Sequence, residues 1–537
     1  MGVIEQAQDW LSQDPDPATR DELQALIDTN DTSELEDRFA MRLQFGTAGL
    51  RGALGAGPNR MNRVIVAQAA AGLAAYLLEH EAKPSVVVGY DARHNSDIFA
   101  RDTAEIMEAA GVHAHLLPTH LPTPVLAFAI RHLGCSSGVM VTASHNPPQD
   151  NGYKVYLADS SQIVPPEDTD ISEAIDQVGR VDELPRSDAY ERLGPEIAEA
   201  YVQAVVALPS DGPREIVAVY TPMHGVGRDT LVEAVARAGF PALHVVREQA
   251  EPDPDFPTVA FPNPEEPGAM DLSLKLASEV GADIIVANDP DADRCAVGVR
   301  DGESYRMLSG DQVGALLADF LLRRGVTGTY AASIVSSDLL GRQAKAHGQP
   351  WQQTLTGFKW IGKIPDLAFG YEEALGYAVA PDIARDKDGV SAIIAVLELA
   401  AGLKAEGRTL VDRLDEIYRE HGLHSTTQLS VRVEDLEIIR RAMDTLRTTP
   451  PTTLGGQAVT AVDDLADGYH GLPPTDGIRL QLDGDARIIC RPSGTEPKLK
   501  CYLEIVVPVD DSIDVARTKA DAALAEIKRD LATALGL

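Results

Sequence analysis

Short β-branched runs alternate with helix-patterned stretches along most of this chain, and the alternation starts three times. The first round sets strand-like 85–90 (SVVVGY), 113–117 and 138–142 against helical 97–110 and 124–133. The second sets strands at 216–220, 243–246 and 283–287 against helices at 229–238 and 272–280. The third places strands at 330–335 and 354–355, a helix after Asp338, and a long helix at 389–403. Strands that alternate with helices pair in parallel, because a crossover helix returns the chain to the same end of the sheet. The pattern changes near residue 423. There 428–433 alternates, 436–446 is amphipathic, 478–482 and 488–490 flank Asp483-Gly484-Asp485 as a hairpin, and a helix follows at 515–535. The predicted fold class is α/β: three related α/β domains with mixed, mostly parallel sheets, and a smaller C-terminal α+β domain. Turn-rich boundaries divide the chain into 1–211, 212–308, 309–422 and 423–537.

Charge removes several function classes. The formal net charge is -35, so nucleic acid and anionic membranes would be repelled; neither is an expected partner. No apolar run reaches the roughly 18 residues of a membrane span. The run 64–78 is interrupted by Gln68 and Gly72 and reads as a buried helix. The first residues carry Glu5, Asp9 and Asp14 instead of a basic and then apolar leader, from which a cytoplasmic location is expected. Cys135, Cys295, Cys490 and Cys501 lack metal-site spacing and are expected to be reduced, buried thiols. Lysine is scarce, yet four of the twelve (Lys154, Lys359, Lys387 and Lys498) fall in the chemically marked segments below, which points to a local cationic pocket for an anionic substrate.

Four segments carry that chemistry. Thr142-Ala143-Ser144-His145-Asn146-Pro147-Pro148 follows a strand, where α/β proteins bind ligands, and the prolines stiffen the turn around a potential nucleophile. It lacks the GxSxG elbow of hydrolases, and alone it reads equally as a polar turn. Lys154, ten residues on, can serve as proton shuttle or anion clamp. Asn288-Asp289-Pro290-Asp291-Ala292-Asp293-Arg294 places carboxylates at alternate positions after another strand, which suits one hard cation. An EF-hand would need Gly and Glu where Arg294 and Arg300 stand, so Mg²⁺ completed by a phosphate oxygen fits better. Arg491-Pro492-Ser493-Gly494-Thr495-Glu496-Pro497-Lys498 offers a guanidinium, hydroxyls and a glycine that bares backbone N–H groups, a phosphate cradle. Gly370-Tyr371-Glu372-Glu373-Ala374-Leu375-Gly376-Tyr377 holds carboxylates able to accept from sugar hydroxyls.

In this order the four segments resemble the α-D-phosphohexomutase superfamily, which includes phosphoglucomutases and phosphomannomutases; the likeness runs from Phe45 to Tyr502. The resemblance implies four domains around a central cleft. It implies a phosphoserine at Ser144, with His145 beside it, and Mg²⁺ held by Asp289, Asp291, Asp293 and the serine phosphate. Lys154 would be the general acid/base, with Arg294 and, from the segment Phe45-Gly46-Thr47-Ala48-Gly49-Leu50-Arg51, Arg51 as neighbouring cations. Glu372 would bind the sugar, flanked by Thr356, Gly357 and Lys359. Lys387, Arg491, Ser493, Gly494 and Thr495 would hold the distal phosphate. The implied partner is a small-molecule sugar phosphate. The implied intermediate and activator is a sugar 1,6-bisphosphate, and the implied assembly is a monomer or small homo-oligomer.

Several members of the superfamily carry Ser where Ala374 stands, and FGTAGLRG, TGFKWIG and GYEEALGY look more like the longer branch of bacterial phosphoglucomutases and phosphopentomutases. The leading expectation is interconversion of glucose 1-phosphate and glucose 6-phosphate, with mannose and pentose phosphates as rivals. A catalytically silent sugar-phosphate binder would not need Ser144, Lys154 and all three aspartates. A phosphatase would need a water-activating base that the motifs lack.

Overall fold

The computed structural model describes residues 2–46, 49–433, 435–493, 498–510 and 512–536. The chain forms two compact units, Met1–Leu308 with Ala374–Glu406, and Ser309–Glu373 with Gly407–Leu537.

In the first unit the run Ser85–Tyr90 is a buried strand paired in parallel with His113–Leu116 and Ser137–Val141. An extended hairpin-like return makes the sheet mixed: Asp150–Leu157 runs antiparallel to Ser137–Val141, and Leu50–Ala53 antiparallel to Asp150–Leu157. Glu191–Arg192 closes the other edge in parallel with His113–Leu116. The Ala-rich stretch is the helix Arg63–His80, capped by Asn62 accepting from the Ile65 amide. Gly72 lets it approach the helix Glu167–Asp176: a Cβ there would lie 2.7 Å from the Ile175 nitrogen. Three helices before it, Val3–Gln13, Pro17–Thr29 and Thr32–Phe39, were not among the elements expected from sequence. A second sheet pairs Ala218–Thr221 in parallel with His244–Val245 and Ile284–Ala287, and then turns antiparallel through Ala296–Asp301 and Ser304–Met307. Helix Gly389–Ala405, buried almost all round, packs on helices Glu196–Val206 and Gly227–Arg237 of this same unit.

In the second unit Thr329–Ser333 pairs in parallel with Trp351–Thr354 and Leu367–Glu372. The C-terminal part is an antiparallel sheet ordered Leu423–Arg432, Lys498–Val507, Arg487–Pro492, Ile478–Leu482, Gln457–Asp464 and Thr453–Leu454. Helices Leu436–Thr448 and Ile513–Leu535 accompany it. The expected four-part α/β and α+β architecture is present. The four cysteines are free and buried. No helix among the described residues is long and apolar enough to cross a membrane.

A buried ionic cluster ties the two parts of the second unit together. Arg487 Nε donates to Glu504 Oε2 at 2.7 Å, and its other nitrogens donate to the carbonyls of Ile334 and Ser336. Glu504 Oε1 also accepts from Ser337 Oγ at 2.5 Å and lies 2.8 Å from His424 Nδ1. Burial alone would raise the Glu504 carboxyl, but Arg487 and His424 outweigh it and hold the group below its usual 4.5. Glu504→Gln takes from the buried guanidinium its buried charge partner, leaving only the half-exposed Asp338 at 3.3 Å, and is expected to cost about 3 kcal/mol, read as a lower unfolding midpoint in denaturant. The unfolded state binds the proton more readily. The contribution of Glu504 is therefore complete above pH 4.5 and is lost as pH falls below it; acid titration of stability should show this slope in the wild type and not in the variant.

Candidate active site

Two strand ends of the first unit build the site. Ser137–Val141 delivers Thr142 to Ser144, and Ile284–Ala287 delivers Asn288 to Arg294. Ser144 has φ +52°, a left-handed conformation unusual for a residue with a side chain, and is 3% exposed. Its amide donates to Thr142 Oγ1 at 2.9 Å, and its hydroxyl donates to Asp289 Oδ2 at 2.8 Å. His145 Nδ1 lies 3.2 Å from the same hydroxyl. Desolvation, reinforced by Arg294 and Arg51, holds His145 well below the usual imidazole range, so the ring is neutral.

Asp289, Asp291 and Asp293 are fully buried, with one carboxylate oxygen of each within 4.8 Å of the others. Such crowding is costly unless cations answer it. Lys154, on the strand Asp150–Leu157, donates to Asp291 Oδ2 at 2.8 Å and Asp293 Oδ2 at 3.0 Å. Lys387 Nζ lies 3.2 Å from Asp293 Oδ2, and Arg294 Nε lies 3.7 Å from Asp289 Oδ2. Burial would raise Asp293, but Lys154, Lys387 and Arg294 hold it below the carboxylate range. Burial, with Asp291 and Asp293, pushes Asp289 well above that range. Burial works against the Lys154 charge, and the two aspartates outweigh it, raising the ammonium. Asp291 Oδ1 and Asp293 Oδ1 are buried with no hydrogen-bond partner among the described residues. Orphaned oxygens on converging carboxylates fit a hard divalent cation such as Mg²⁺, an oxygen-ligand ion.

Two contributors were not read from the sequence. Arg93 donates to the carbonyls of Ser144 (2.7 Å), Asn146 (2.5 Å), Pro147 (2.8 Å) and Asp150 (3.1 Å), clamping the serine loop. Thr123 Oγ1 donates to Asp291 Oδ2 at 2.7 Å. Asp91-Ala92-Arg93 directly follows the strand Ser85–Tyr90, the same strand-end position that marked the other motifs, and was the available signal. Arg51 lies on Leu50–Ala53 and donates to Asn146 Oδ1 at 3.3 Å. Lys387, expected with the distal phosphate, lies on the segment Ala374–Glu406 of the first unit, with its ammonium 3.2 Å from Asp293 Oδ2.

The second unit carries the remaining expected residues. Glu372, at the end of strand Leu367–Glu372, accepts from the Gly357 amide at 2.7 Å. Thr356 precedes that glycine, whose φ of +107° suits the turn into helix Phe358–Gly362. Lys359 is largely buried with Nζ 5.6 Å from the centre of the Trp360 ring. The neighbouring Glu373 accepts from Ser333 and Ser336 at 3.2 and 3.1 Å. Arg491 lies on Arg487–Pro492, opposite Lys500. The Ser493 amide donates to the Lys498 carbonyl at 2.8 Å. Gly494 and Thr495, like Thr47 and Ala48, lie outside the described residues.

Known proteins share the domain order of this chain. Family models for the phosphoglucomutase/phosphomannomutase α/β/α domains I, II and III match residues 42–181, 199–302 and 309–421, and the model for the C-terminal domain matches 431–528. A probable phosphomannomutase of Haemophilus influenzae is 50% identical over 83% of this chain and 93% of its own. A phosphoglucomutase of Staphylococcus haemolyticus is 36% identical (90% of this chain, 94% of its own). A human phosphopentomutase is 34% identical (94% and 91%). The crystal structure of a phosphoglucomutase/phosphomannomutase family protein from Burkholderia thailandensis shares the fold, with a TM-score of 0.68 at 20% identity over 91% of this chain and 97% of that one. With all four domain models matched in order along the sequence, the chain belongs to the phosphoglucomutase/phosphomannomutase family of the α-D-phosphohexomutase superfamily, a family of phosphosugar-mutase enzymes.

Proposed function

We propose that the enzyme interconverts the 1-phosphate and 6-phosphate of a hexose, with glucose as the hexose, through a phosphoserine at Ser144. The observation that carries this reading is the 2.8 Å bond from the Ser144 hydroxyl to Asp289, beside two carboxylate oxygens that lack partners. In the forward half-reaction the bond from phosphorus to Ser144 Oγ breaks and a bond to the free sugar hydroxyl forms. Lys154, the ammonium held by Asp291 and Asp293, gives its proton to the departing Ser144 Oγ, and the resulting amine takes the proton of the sugar hydroxyl. The second half-reaction reverses this with the other phosphate of the sugar 1,6-bisphosphate, and Lys154 returns the proton to the oxygen that is released. Mg²⁺ held by Asp289, Asp291 and Asp293 would neutralise charge on the transferring group, the main requirement of phosphoryl transfer. Arg294 and Arg51 add positive charge, and neutral His145 can hydrogen-bond without adding to it. Glu372, with Thr356, Gly357 and Lys359, is assigned to the sugar hydroxyls, and Arg491, Ser493, Gly494 and Thr495 to the distal phosphate. Lys387 is assigned to charge balance at Asp293, from which it can also meet a substrate phosphate.

Mannose is the second reading, favoured by the 50% identity to a probable phosphomannomutase. Turnover of glucose 1-phosphate, mannose 1-phosphate and ribose 1-phosphate, each with its bisphosphate and Mg²⁺, decides between them. The highest kcat/KM should fall on glucose 1-phosphate; preference for mannose or ribose overturns the glucose assignment.

Ser144→Ala is expected to lower kcat by at least roughly 10³-fold while sugar-phosphate binding remains measurable by calorimetry. Exhaustive chelation should abolish turnover, and added Mg²⁺ should restore it; activity that survives chelation would rule out the aspartate metal site. Arg93→Lys loses the fork that grips four carbonyls, and kcat should fall about 10²-fold with KM little changed, in a steady-state assay.

A further inference from the structure

Away from the serine, the first sheet carries a second cluster of metal-binding side chains. His113 and His115 lie on one face of the strand His113–Leu116, and Glu191 is the register partner of His115 on the edge strand Glu191–Arg192. One donor atom from each of the three lies within 4.8 Å of the others. His115 Nδ1 is 3.0 Å and His113 Nε2 is 3.9 Å from Glu191 Oε2. The shorter approach is an ion-pair distance without hydrogen-bond alignment: His115 Nδ1 is buried and has no hydrogen-bond partner among the described residues. Tetrahedral Zn²⁺ with ligand bonds near 2.0–2.1 Å sets its ligand atoms about 3.4 Å apart, so the group needs only small side-chain rotations to close on an ion.

The surroundings supply what such a site needs. His113 Nδ1 lies 3.4 Å from Glu108 Oε2, and that carboxylate oxygen is itself fixed by the Ala114 amide at 2.9 Å. A carboxylate behind a histidine orients the ring and leaves the opposite nitrogen to face the metal. His113 and Glu191 are each more than half exposed, which leaves the fourth position open to water. His113 begins its strand, whereas Ser144 follows the far end of the parallel strand Ser137–Val141; the cluster and the serine thus lie at opposite ends of the sheet.

We propose that His113, His115 and Glu191, backed by Glu108, form a site for a divalent transition-metal ion of the zinc class. Nitrogen-rich ligands select such ions over Mg²⁺, which takes oxygen ligands. Because Glu191 belongs to a two-residue edge strand, the bound ion staples the segment leading into helix Glu196–Val206 onto the sheet.

The test titrates Co²⁺ into the full chain in excess Mg²⁺ and follows visible absorption. One Co²⁺ per chain should give a ligand-field band, and Zn²⁺ should displace it. The band should vanish in His113→Gln/His115→Gln, whose metal-free unfolding midpoint should match that of the wild type. Glu191→Gln, a single change at an exposed position, should also remove the band and serves if the double variant does not fold. Glu108→Gln should weaken binding about 10–100-fold. Absence of a band overturns the site. So does a band that persists in both His113→Gln/His115→Gln and Glu191→Gln, or one that is lost only in Asp291→Asn.

Discussion

The first unit is organised around three buried carboxyl groups that crowd one another. Asp289, Asp291 and Asp293 have no solvent exposure, and carboxylates removed from water in such proximity are tolerated only with opposing charge at hand. The cations come from separate stretches of chain: Lys154 from a strand of the first sheet, Arg294 from the aspartate loop itself, and Lys387 from a segment that enters after residue 373. This arrangement explains why Ala374–Glu406 packs with residues far before it in sequence. Gly389 makes the fit possible, since a Cβ there would lie 2.2 Å from the Arg294 carbonyl. Its helix is further anchored by Asp388, which caps the Val390 and Ser391 amides while accepting from Tyr201.

The same charge balance prepares the serine. Ser144 is held in a left-handed backbone conformation, which persists only when the surroundings over-determine it. Arg93 provides that determination through four carbonyls, and Thr142 provides it through the serine amide. A group fixed before the substrate arrives costs no reorganisation during transfer. The second unit uses a different device: the Arg487–Glu504 pair joins its parallel-sheet part to its antiparallel part, while Glu372 accepts from the Gly357 amide.

Much of the fold was legible in the chain. The strands at 85–90, 284–287 and 478–482 and the helices at 63–80 and 389–405 sit within a few residues of where periodicity put them, because alternation and helical spacing are local properties. The strands Leu50–Ala53 and Asp150–Leu157 were missed. Both complete an antiparallel return at the sheet edge, and Asp150–Leu157 mixes Asp, Asn, Gly and Lys, residues that disfavour strands, because it carries site chemistry. The N-terminal helices were also missed.

Sequence by itself determined the chemical inventory: a serine and three alternate aspartates just past strand ends, a lysine, a glutamate and an arginine-led turn. Tertiary structure alone decided who meets whom. That Arg93 grips the serine loop, that Thr123 reaches Asp291, and that Lys387 answers Asp293 depends on packing between residues some 50 to 170 positions apart. Local periodicity carries no record of such pairings, because burial and charge neutralisation select them only when the sheets assemble.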